Sequence, residues 1–199
     1  MKRALRPVLR PLKLALRRLA ELRLHLVYFT HGEAGIRRWA RGADEPARVL
    51  RRYGATIAPD VSLAGPLTII DGPLSNLTIE PGAHVGSEVF LDLHDRITIG
   101  AGATVSMRCV LITHLDVGHG PLAETRPPAR GPVAIEAGAY LGASTTVLHG
   151  VTVGREALVA AGAVMHRDVE PRAVVGGVPA RPLGEGRHVE PSAPVFRST

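Results

Sequence analysis

The residues best suited to chemistry stand in two short stretches. One is LITHLDVGHG, Leu111 to Gly120, where His114 closes an apolar run, followed by Asp116 and His119. The other is FLDLHDRITIG, in which Asp92 and His94 flank one leucine. A neutral imidazole accepts a proton near neutral pH, so a histidine beside a cleft is a candidate general base. A pair of histidines is also a candidate set of metal ligands. Histidines solvated in a surface loop would do neither. The choice depends on the elements that position them.

Composition narrows the scaffold. The 199 residues suffice for a buried core, yet hold only three Phe, three Tyr and one Trp against 22 Gly. Small and β-branched aliphatics must fill the interior, which suits a narrow one. The single cysteine, Cys109, excludes an internal disulfide and points to a reducing, cytoplasmic setting. Residues 1–29 carry a net charge of +7 against +6 for the whole chain, so the rest is close to neutral at −1. That distribution leaves the main domain without the basic face of a nucleic-acid binder. The longest uncharged run near the N-terminus, Leu24 to Gly32, is nine residues, where a membrane span needs about 20.

A six-residue period organises the main domain. From Ile135 the chain reads IEAGAY, LGASTT, VLHGVT, VGREAL, VAAGAV, MHRDVE, with a large aliphatic first and a small or β-branched residue fifth. The same frame fits triplets starting at Ile57, Ile79 and Ile99, separated by insertions at 75–78, 97–98 and 117–134. Six is not a helical period, and simple alternation fails too. Short extended segments with a turn every six residues fit: three make one triangular coil, and stacked coils pair their backbones. The frame predicts an all-β solenoid of five coils with a partial sixth near Pro171–Val178.

Hexapeptides of the form aliphatic-Gly-x-x-small-x resemble those of the hexapeptide-repeat acyltransferases. That resemblance implies a left-handed parallel β-helix over residues 56–183, a hand opposite to ordinary crossover connections. It is closest to the sugar O-acetyltransferases, the maltose and galactoside enzymes among them. Those enzymes carry Thr-His-Pro-Leu-Asp, a loop, and a Gly/Lys-Pro-Val return; this chain has Thr113-His114-Leu115-Asp116, a loop, and Gly131-Pro132-Val133. The resemblance implies His114 as the catalytic base, taking the proton of an acceptor hydroxyl that attacks a thioester. Asp92 matches an acceptor-contacting aspartate, and Asp116 is a candidate to anchor the acceptor or brace the loop. Ser87 and Glu88 replace the family's asparagine, which makes Glu88 a candidate acceptor contact and points to a different acceptor.

Donor motifs follow. AYLGAS, AAGAVMHRDVEP and GGVPAR resemble the family's coenzyme A segments. They imply acetyl-coenzyme A, or another acyl-coenzyme A, along the C-terminal coils. Tyr140 stands where the family has Trp, and Gly142, Ala143 and Ala161 would admit the pantetheine arm. His166 replaces a Thr, and Arg167 and Arg181 would pair with phosphates. Family behaviour implies a homotrimer with each site between neighbouring subunits. The small-molecule acceptor is a sugar or natural product.

Two rivals stand beside this. The γ-class carbonic anhydrases share the β-helix and bind zinc through three histidines, which would here draw on His114 and His119 with His84 or His94; no metal is expected in the acyltransferase. A non-catalytic scaffold could keep the repeats alone. Cys109 falls in the small-residue column and is expected to be a packed thiol.

Residues 1–55 form a basic helical segment. Pro7 and Pro11 disfavour a helix before residue 11. Leu12, Leu16, Leu19, Leu22 and Leu26 lie at helical spacing, a second helix is expected over Glu33–Arg41, and a third from an Asp44 cap through Pro46 to Gly54. Helices here would cover the open solenoid end, while residues 1–29 offer peripheral contact with an anionic membrane. Residues 184–199 are a tail.

Overall fold

The column of every sixth aliphatic turns inward and stacks. Ile57, Ile79, Ile99, Ile135 and Val153 follow one another in register along one sheet of parallel strands. Leu63, Val85, Val105, Leu141 and Val159 do so along a second. Ile69, Leu91, Leu111, Val147 and Met165 do so along a third. The structure, a computed structural model, describes residues 6–40 and 46–183. The chain visits the three sheets in turn, so each coil is a triangle and each sheet is one wall of a parallel β-helix. A sixth, partial coil closes it: Val174–Gly176 pairs with Leu158 and Val159, and Arg181–Pro182 folds back antiparallel onto it.

Strands are two or three residues long, so regular hydrogen bonds run between coils and not along a hairpin. The interior is dry aliphatic packing: Val85, Leu91, Ile99, Val105, Leu111, Ile135, Leu141 and Val147 have no exposed surface. Burying each such side chain is worth about 1.5–3 kcal/mol. The fifth-position column, Ala83, Val89, Ala103, Cys109, Ala139, Val151, Ala157 and Ala163, fills the corners. Cys109 is fully buried and burial pushes its thiol up, so it packs as a small core residue. That column fails at the slots after Ile69, Leu91 and Leu111, which hold the exposed Pro73, the half-buried Asp95 and the exposed Leu115. At this corner the chain leaves the regular coil for its insertions.

Two helices precede the coils, α1 (Arg6–Ala40) and α2 (Pro46–Arg52). α1 starts five residues before the expected boundary. Pro7 sits in the first turn, where an N–H has no intrahelical acceptor, and the loss at Pro11 does not break the run. α1 joins two helical stretches across a kink at Gly32, whose φ of 58° and ψ of −150° are not helical. The Asp44 cap and the 184–199 tail lie outside the described residues. Ile36, Val49 and Leu50 join the same buried core as the first coils. Glu33 Oε2 accepts the Leu74 N–H at 2.7 Å and Arg37 Nη1 donates to the Gly72 carbonyl at 2.6 Å. The second half of α1 thus clamps the first coil at the corner where the histidines rise.

Candidate active site

His94 and His114 occupy the fourth position of equivalent hexapeptides in consecutive coils, LDLHDR and LITHLD, whose leading leucines Leu91 and Leu111 are register partners. One coil therefore sets its imidazole on the other. Beneath them lies Gly72, with a φ of 58°; a Cβ there would stand 1.7 Å from the Leu93 carbonyl oxygen. Only glycine lets this corner close under the Leu93–His94 peptide.

Asp92 ends a strand of the third wall and is 1% exposed. Its Oδ2 lies 2.6 Å from His114 Nδ1 and also accepts the Thr113 N–H at 2.8 Å and the His114 N–H at 3.2 Å. Its Oδ1 accepts the His94 N–H at 3.1 Å. Burial alone would raise this carboxyl. The hydrogen bonds from Thr113, the His114 ring and His94, with the nearby His114 charge, outweigh burial and hold it below the usual aspartate value. The ionised carboxylate only accepts, so His114 Nδ1 carries the hydrogen, and in the neutral ring Nε2 keeps a lone pair. Thr113 locks the pair: its buried hydroxyl donates to the Asp92 carbonyl at 2.8 Å and accepts the Asp95 N–H at 2.9 Å.

The cleft beside the imidazole has a volume of about 200 Å³ and is lined by His94, His114, Leu115, Asp116, Pro128, Ala129 and Arg130. Strand His114–Leu115 pairs antiparallel with Ala129–Arg130, so the inserted segment returns alongside the histidine, and Gly131 N–H binds the Thr113 carbonyl at 2.9 Å. His114 keeps 25% of its side chain exposed, toward that cleft. Asp116 is in the same cleft, with Oδ1 accepting the Gly118 N–H at 2.7 Å.

The sequence-based candidates divide. Asp92 was expected to touch an acceptor; its carboxylate is instead buried and occupied by His114 and backbone amides. Glu88 lies outside the His114 cleft, on a corner with φ of 59°, and is paired with Arg108 at 2.7 Å. Of the donor-side residues, His166, Arg167 and Arg181 line a separate cleft of about 260 Å³ at the last coils, which also contains Asp168 and Glu170. Tyr140 projects outward, 45% exposed. A Cβ on Gly142 would meet Ala161 N at 2.5 Å, so this glycine serves coil-to-coil packing. Ala143 is half-buried and Ala161 exposed. Within one chain none of these donor-side residues lines the His114 cleft.

Among the described residues, one group has the geometry to approach a metal ion: ligand atoms of Asp71, His94 and His114 lie within 4.8 Å of one another. His119 is not in it, and His84 sits on another wall with its ring 3.1 Å from Ser62 Oγ. Asp71 and Arg130 were not singled out by sequence. Asp71 falls in the third slot after Ile69, one coil below Leu93, and the hexapeptide frame alone could have found it.

Comparison with known proteins agrees with this architecture. Residues 132–166 match the family described as the hexapeptide repeat of succinyl-transferase. A 2,3,4,5-tetrahydropyridine-2,6-dicarboxylate N-acetyltransferase of Staphylococcus aureus is 44% identical over 64 residues, 32% of this chain and 27% of the relative. The chain thus spans about a quarter of the length of the curated relatives it matches. Among solved structures, a hexapeptide-repeat-containing acetyltransferase of Vibrio cholerae superposes with a TM-score of 0.68 at 20% identity, over 81% of this chain and 91% of that one. A maltose O-acetyltransferase of Clostridium difficile gives 0.65 at 18%, over 74% and 81%. A galactoside acetyltransferase in complex with coenzyme A gives 0.51 at 17%, over 74% and 76%. With its three stacked walls, the chain has the left-handed parallel β-helix fold of these acetyltransferases, and residues 132–166 carry the hexapeptide repeat.

Proposed function

We propose that this chain transfers an acetyl group from acetyl-coenzyme A to an acceptor hydroxyl, with His114 as general base. The single observation that carries the reading is the 2.6 Å contact from buried Asp92 to His114 Nδ1, which leaves Nε2 facing a cleft. An acceptor O–H bound there gives its proton to Nε2 as its oxygen bonds the thioester carbon. The carbon–sulfur bond then breaks, and the imidazolium returns the proton to the departing sulfur. Asp92 orients the ring and balances the imidazolium charge, as a buried carboxylate does in other histidine bases. Asp116 and Arg130, on the cleft walls, are the acceptor contacts.

The match at residues 132–166 and the coenzyme A carried by the galactoside enzyme support a donor lying on the C-terminal coils. The His114 cleft and the residues 139–181 do not share a cavity within one chain, which supports a homotrimer whose sites join His114 of one subunit to the coils of the next. The tetrahydropyridine relative acts on nitrogen, so the acceptor panel that tests the reading must include amines. Purified protein with labelled acetyl-coenzyme A should acetylate sugar hydroxyls. Labelling of amines alone overturns the hydroxyl assignment, and the absence of both transfer and coenzyme binding leaves a scaffold.

The cluster of Asp71, His94 and His114 favours a second reading, a metal-dependent hydratase. Its donors would be two imidazoles and one carboxylate in place of three histidines. Activity lost to a chelator and restored by zinc would establish it; turnover indifferent to the chelator supports the acyltransferase.

A further inference from the structure

α1 presents two apolar faces, and the domain uses one. Leu24 is buried and Val27 packs against the core, Tyr28 contacts the Tyr53 ring at 4.8 Å, and His25 Nε2 accepts from Arg52 at 2.6 Å. On the outer face Leu19, Leu22, Leu26 and Phe29 recur at spacings of three and four, a single stripe on a helix. They are 55%, 67%, 62% and 88% exposed. Arg18 and Arg23 are exposed and border the stripe on its two sides. Both acidic residues of α1 turn to the domain: Glu21 pairs with Arg48 at 3.6 Å, and Glu33 binds the Leu74 N–H and Arg37. Among the described side chains of this part of α1, Arg18 and Arg23 therefore face outward with no acidic residue of the helix beside them.

We infer that this face of α1 lies flat on an anionic lipid surface, with Leu19, Leu22, Leu26 and Phe29 in the acyl boundary and the arginines on the headgroups. An apolar stripe with arginine borders fits such an interface. A second copy of the chain fits it poorly, since stripe-to-stripe contact would bring Arg18 and Arg23 against their counterparts with no acid between them. The helix does not span: no described helix is long and apolar enough to cross a membrane. The inference is independent of the chemistry at His114.

The test is flotation of the full chain with vesicles of phosphatidylglycerol and phosphatidylcholine at roughly 1:2, beside pure phosphatidylcholine. The protein should float with the anionic vesicles only, and added salt should weaken the binding. Leu22→Glu with Phe29→Glu should lower the partition coefficient about tenfold or more, as should Arg18→Glu with Arg23→Glu. These side chains are exposed, so the melting temperature should not move; it is measured as the control for folding. Wild-type protein that ignores anionic vesicles, or charge-reversed protein that binds as well as wild type, overturns the inference. So does a drop in oligomer mass in the Leu22→Glu, Phe29→Glu variant, which would give the stripe to a second copy.

Discussion

His94 and His114 stack with ring centroids 4.3 Å apart and planes 24° from parallel. The contact follows from the repeat: both residues hold the fourth slot of their hexapeptide, and consecutive coils carry them one above the other. His94 is thereby a wall that fixes the face of the His114 ring. Replacing it with alanine should lower turnover about 2- to 10-fold, the range of one aromatic contact. His94→Phe keeps a flat ring and should stay close to wild type. Steady-state rates for both variants check this; equal losses in both would mean that His94 acts through its nitrogens and not by stacking.

The buried carboxylate should matter to both rate and acid stability. Asp92→Asn removes a charge-assisted hydrogen bond to His114 Nδ1, so kcat should fall roughly 10- to 100-fold with KM less affected. The Asp92 carboxyl is held below its ordinary value in the fold. Its contribution to stability is therefore fully present above the unfolded-state value and fades as pH falls through the folded-state value. Urea melts from neutral pH down to about pH 2 should show wild type losing its advantage over Asp92→Asn on the acid side. A difference that grows on acidification would contradict the assignment.

Gly72 should tolerate no side chain. Its left-handed backbone costs an ordinary residue roughly 1–3 kcal/mol, and the 1.7 Å approach to the Leu93 carbonyl adds to that. Gly72→Ala should lower the melting temperature and, because Leu93–His94 must shift, reduce turnover as well. Differential scanning calorimetry with a rate measurement decides it. A variant that melts and turns over like wild type would show that this corner is loose.

The walls of the solenoid were legible because one aliphatic every six residues is a physical requirement of a triangular coil. Even the insertions at 75–78, 97–98 and 117–134 fall where the register of Ile57, Ile79, Ile99 and Ile135 needs them. His114 was legible as a candidate because its motif stands out against the repeat. Asp92 was seen but misplaced: it follows the inward Leu91, so strand alternation turns it outward, and only the Thr113–His114 corner of the next coil covers it. The repeat does not encode that cover. Arg130 was missed because its strand pairs antiparallel inside an insertion, where the period is silent. Pro7 and Pro11 argued against a helix that starts at Arg6, since local propensity is weaker than the run of helical residues that follows.

In the proposed reaction His114 Nε2 removes the acceptor proton beside a thioester bound on the C-terminal coils. The most direct measurement is the rate of labelled acetyl transfer by wild type and His114→Ala, with coenzyme A binding followed by calorimetry on the same samples. The variant should lose about 10²–10⁴-fold in rate with coenzyme binding unchanged. Transfer at the wild-type rate by His114→Ala would contradict it.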